Sequence, residues 1–123
     1  MQIQRKDFLE RIIEEFAEVL ASLAGLRKTR SYLAALELID RTVGGIMGMN
    51  EDVVAMLSPN SLRGLIAMDP LLDDNYRLML AELLHEKAGV LEALGRPAEA
   101  EAERALAHAV SGMVVSGLDS TWN

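Results

Sequence analysis

The chain has 123 residues, half of them apolar but only 4% aromatic, with 12 basic side chains against 19 acidic ones, a formal charge of −7 and no cysteine. That length supports one hydrophobic core rather than two, so a single domain over residues 1–123 is expected. The spread of acidic charge opposes attraction to phosphate backbones and excludes nucleic acid from the expected partners, and the lack of cysteine excludes disulfides, thiolate catalysis and cysteine-held metals.

Apolar residues recur at helical rather than alternating spacing. Over residues 6–24, Phe8, Leu9, Ile12, Ile13, Phe16, Leu20 and Leu23 form a wide stripe opposed by Glu10, Glu14, Glu15 and Glu18, and Gly25 is the expected stop. A second helix is predicted over residues 29–47 from Tyr32, Leu33, Leu36, Ile39, Val43 and Ile46, its end loosened by Gly44, Gly45 and Gly48. Asn50 is placed to cap a short helix over 51–57, and Ser58 with Pro59 opens another over 59–67. After a turn at Asp69 and Pro70, Asp73 or Asp74 caps a helix over 74–94 carrying Tyr76, Met79, Leu80, Leu83, Leu84, Lys87, Leu91 and Leu94. Gly95 closes that helix and Pro97 opens the last one, predicted over 97–115 with a tail beyond it. The expected fold is all-α, a compact antiparallel array of four long and two short helices.

From Leu84 to Ala107 an apolar helix, a Gly95-Arg96-Pro97 turn and an alanine-rich helix follow one another, with Ala100, Arg104 and Ala107 at steps of four and three. Leu84, Ala88, Leu91, Gly95, Ala100 and Ala107 resemble the packing positions of one tetratricopeptide unit, although Arg104 stands where that repeat usually carries an aromatic. The chain as a whole resembles a family of small, uncharacterised bacterial all-helical proteins with a tetratricopeptide-like hairpin at the C-terminal end. The residues that carry this are Asp7-Phe8-Leu9-Glu10-Arg11-Ile12-Ile13, Ala34-Ala35-Leu36-Glu37-Leu38-Ile39-Asp40, Leu57-Ser58 with Leu62, and Ala81-Glu82-Leu83-Leu84. The resemblance implies the helical fold and a bacterial source, and no activity is established for that family.

Glu82 and His85 have the Glu-x-x-His spacing that brings an oxygen and an imidazole nitrogen to one metal, but a dinuclear site needs a second copy. His108, the other histidine, has Ala105 three residues before it and Arg104 four before it. Asp69, Asp73 and Asp74 are better explained as helix caps than as a hydrolytic pair. Ser58, Ser61 and Ser111 lack a nucleophile-elbow context, and Gly44, Gly45 and Gly48 read as a helix end rather than a phosphate loop. No catalytic residue and no cofactor are expected.

The first helix has a stripe broader than one neighbour covers, which points to a partner surface of Phe8, Arg11, Ile12 and Phe16. Arg11 either pairs with Asp7 on its own helix or reaches a carboxylate across an interface. Met113 and Val114 with Trp122 form a second apolar surface. Either the two surfaces cover each other or they make a homodimer. The expected function is a non-catalytic protein–protein interaction or self-association module. The alternatives are a small-ligand sensor with a methionine-lined pocket and a metal-dependent enzyme using Glu82 and His85. The charge-free run from Ala105 to Leu118 is too short and too interrupted to span a bilayer, and the N-terminal stretch before the first helix lacks the apolar core of a secretory signal. A cytoplasmic location without membrane attachment is therefore expected.

Overall fold

Among the described residues six helices follow one another through short connections: α1 (Arg5–Lys28), α2 (Tyr32–Met47), α3 (Glu51–Met56), α4 (Pro59–Met68), α5 (Asp74–Ala93) and α6 (Pro97–Trp122). The computed structural model describes the backbone over residues 5–122 and the side-chain surroundings over residues 10–114. No strand occurs among the described residues, so the protein is all-α.

The starts of α3, α4 and α5 are set by side chains that satisfy free backbone N–H groups, whereas Ser31 before α2 makes no such bond. Asn50 Oδ1 accepts from the Asp52 N–H at 2.8 Å, Ser58 Oγ from that of Ser61 at 3.2 Å, and Asp73 Oδ1 from that of Tyr76 at 3.0 Å. Asp69 Oδ1 likewise accepts from the Leu71 N–H at 2.9 Å, so it shapes the turn before α5. Two helices end in the same paired pattern, a six-to-one bond around a five-to-two bond. After α1 the bonds are Ser31 N to Leu26 O at 2.7 Å and Arg30 N to Arg27 O at 3.1 Å; after α5 they are Arg96 N to Leu91 O and Gly95 N to Glu92 O, both at 3.0 Å. The residue in the left-handed region is Arg30 in the first case and Gly95 in the second.

Two expectations about helix ends are corrected. Gly25 does not stop α1, which runs on to Lys28. A mid-helix glycine costs about 1 kcal/mol, and the packing of Leu26 against the core outweighs that cost. The stop comes five residues later, where Arg30 takes a positive φ of 59°, and this delays the start of α2 to Tyr32. The last helix does not end at Val115, because its backbone is helical to Trp122 where a tail was expected.

The core is built by α5, which packs against α6 on one side and α2 on the other, while α4 lies on α6, and α1 and α3 lie on α2. Leu80, Leu83, Leu84 and Val90 of α5 meet Ala35, Ile39 and Val43 of α2 and Leu106, Ala107 and Val110 of α6 in one apolar cluster, joined by Leu23, Val54, Leu62 and Ile66. Burying each large aliphatic side chain stabilises the fold by about 1.5–3 kcal/mol. No helix among the described residues is long and apolar enough to cross a membrane.

Candidate functional site

Lys87 lies in the apolar stripe of α5, three residues after Leu84 and four before Leu91, so its side chain is carried into the helix interface. There it meets a carboxylate from each flanking helix. Its Nζ donates to Asp40 Oδ1 of α2 at 2.9 Å and lies 3.8 Å from Glu103 Oε1 of α6. The three side chains are only 15%, 14% and 11% exposed. Burial lifts the Glu103 carboxyl above its ordinary pKa. The Lys87 charge pulls it back down, and Asp40 and Glu99 push it further up. Its second oxygen, Oε2, is closed off from solvent and has no hydrogen-bond partner.

The triad forms one end of a cleft of about 440 Å³. The walls are apolar, from Leu36, Ala55, Leu57, Pro59, Leu91 and Ala102, and the ion pair of Arg96 with Glu99 stands at the edge. A half-open cleft of this size, in which aliphatic and charged side chains share the lining about equally, is large enough for a small molecule.

A second groove, about 140 Å³, runs between α1, α2 and α5. Ile12, Phe16 and Val19 of α1, Ile46 of α2 and Met79 of α5 line it, with Glu15 and Thr42 as its polar members. Ile12 and Phe16 are half-buried, whereas Arg11 and Ile13 beside them are exposed. Two residues of the expected partner surface thus form one wall of an apolar groove. The side chains of Phe8 and Trp122 lie outside the described residues, as does Asp7, the candidate partner of Arg11. Val114 is not a surface residue: it is 2% exposed, in line with Val110 on the inward side of α6, and Met113 packs half-buried against the core.

A third groove, about 350 Å³ between α5 and α6, brings Glu82, His85 and His108 together with Arg104 and Ser111. Glu82 and both histidines are exposed. No group of three histidine or acidic side chains placed to hold a metal occurs among the described residues, so the Glu82 and His85 pair gains no third ligand there. Arg104 turns outward to Glu92 Oε2 at 2.6 Å and Glu101 Oε2 at 3.1 Å. Of the described methionines, Met79 lines the α1 groove, Met47, Met49 and Met113 pack half-buried against the core, and Met56 and Met68 are 86% and 81% exposed.

Asp40, Lys87 and Glu103 were not among the expected site residues, yet each carried a signal. Each occupies a position in the buried stripe of its helix, Asp40 beside Ile39 and four residues after Leu36, and Glu103 between Ala100 and Ala107. The inward side of α6 runs through Ala100, Glu103, Leu106, Ala107 and Val110 rather than through Arg104. Comparison with known proteins returns no match to any family model, curated protein or solved structure.

Proposed function

We propose that this chain is a non-catalytic interaction module that self-associates through the exposed side of α1. The observation that carries this reading is the apolar groove lined by Ile12, Phe16 and Val19 with Ile46 and Met79, flanked by the exposed Ile13. An apolar strip of this kind on a small helical protein marks a surface for another macromolecule.

A second copy is the occupant because the charge order along α1 complements itself. From Glu10 to Glu18 four glutamates stand against Arg11 alone, while Lys28 and the following Arg30 close the helix and Arg27 pairs with Glu86 of its own chain. Two α1 helices set antiparallel about a twofold axis bring this acidic stretch of each towards Lys28 and Arg30 of the other, the self-complementary arrangement a symmetric dimer requires. In this reading α5 and α6 form the tetratricopeptide-like antiparallel hairpin that supports α1 and α2, the resemblance to small bacterial helical proteins holds, and the protein acts in the cytoplasm. The test is the mass in solution by light scattering for the wild type and Ile12→Asp. A dimer mass that falls to the monomer in the variant supports the reading. A monomer for the wild type at all concentrations up to about 0.5 mM, where contacts weaker than about 4–5 kcal/mol are the only ones left undetected, refutes it.

A further inference from the structure

The charged end of the cleft between α2, α5 and α6 is unbalanced. Asp40 and Glu103 bring two carboxylates and Lys87 one ammonium, so the triad lacks one positive charge when both acids are ionised. The lysine is drawn to Asp40, at 2.9 Å against 3.8 Å for Glu103, and Glu103 Oε2 is left without a donor. Arg96 does not supply one, because it is paired with Glu99. A buried carboxylate oxygen without a donor is costly, and native interiors rarely leave one so. The terminal torsion of a glutamate is soft, so a small rotation presents this oxygen to the cleft. Beside the triad, Leu36, Leu57, Pro59 and Leu91 offer apolar surface for methylene groups, and the Arg96 and Glu99 pair at the edge is already neutralised.

We infer that this cleft binds a small aliphatic primary ammonium, whose charged head donates to Glu103 and whose methylenes lie on Leu36, Leu57 and Leu91. The head supplies the missing charge and the missing donors together, and the chain displaces water from apolar surface. Neither an alcohol nor a carboxylate does both. Since burial already favours the protonated Glu103, seating a cation beside it expels that proton, and binding tightens as pH rises.

The experiment is calorimetric titration of the full chain with n-pentylammonium, n-pentanol and n-pentanoate in parallel. The expected result is saturable binding of the ammonium alone, tightening as pH rises through the titration of Glu103, each pH run in two buffers of different ionisation heat so that proton release is read directly. Glu103→Gln should weaken it at least tenfold. Ala55→Phe, which fills the wall without touching the triad, should abolish it while the far-ultraviolet circular dichroism stays unchanged. Equal binding of pentanol, preference for pentanoate, unchanged affinity in Glu103→Gln, or no saturable binding of the ammonium at 10 mM would each overturn the assignment.

Discussion

Replacing Lys87 with methionine removes the only cation among three buried charged side chains while keeping nearly the same volume. Its ammonium sits 2.9 Å from one carboxylate and 3.8 Å from the other, and all three groups are less than one-sixth exposed. At an effective dielectric of 20, unit charges 4 Å apart interact by about 4 kcal/mol, and that attraction offsets the desolvation of both acids. Removing one partner of a buried pair costs about 3–5 kcal/mol because the remaining charge is stranded. At this chain length that corresponds to a melting temperature roughly 10–20 °C lower at pH 7. Thermal unfolding followed by circular dichroism reads it. The sign of the pH dependence is fixed as well. Without Lys87, which holds it down, the folded pKa of Glu103 rises further above its unfolded value, so the variant regains stability as pH falls through it and the gap to wild type narrows towards acid pH. A loss below about 1 kcal/mol, the range of a solvent-screened surface pair, with no narrowing at acid pH, would refute the buried triad.

Glu103→Gln should do the opposite. The folded pKa of Glu103 lies above its unfolded value, so ionising it disfavours the folded state; the amide should melt at or above wild type at pH 8 and lack the stability gained by wild type as pH falls through that folded pKa. Gly44→Ala and Gly89→Ala should differ sharply in chemical denaturation. A methyl at position 44 meets the fixed Met49 carbonyl, at an expected cost of about 1–3 kcal/mol, whereas at position 89 it meets the Arg27 guanidinium, which can swing away from Glu86 at little cost. Ser58→Ala removes the cap of α4 and should cost about 1 kcal/mol, read in the same denaturation assay.

The helices were legible because their signals are local. Spacing of Leu80, Leu83, Leu84 and Leu91 along α5, and the caps at Asn50, Ser58 and Asp73, act within a few residues and appear directly in the sequence. The end of α1 was less so, since the packing of Leu26 against distant residues decides whether a glycine such as Gly25 interrupts a helix. The charged cleft was least legible. Asp40, Lys87 and Glu103 come from three helices, and only the way α2, α5 and α6 pack brings them within 4 Å. Lys87 could be seen within an apolar stripe, but a lone lysine there also fits a side chain that reaches out to solvent. The step of four from Ala100 to Arg104 drew attention to the wrong member of α6; the step of three to Glu103 is the one that turns inward.

Pairing of α1 with the α1 of a second copy is most directly tested by an intermolecular distance. The chain has no cysteine, so Ser22→Cys carries a single spin label on the exposed side of α1. Pulsed dipolar spectroscopy should then give a defined distance between two labels on paired helices whose axes are about 8–10 Å apart, and the signal should vanish when Ile12→Asp is added. A label at Ser22 that shows only the featureless background of separate molecules, at concentrations of hundreds of micromolar, would contradict the account.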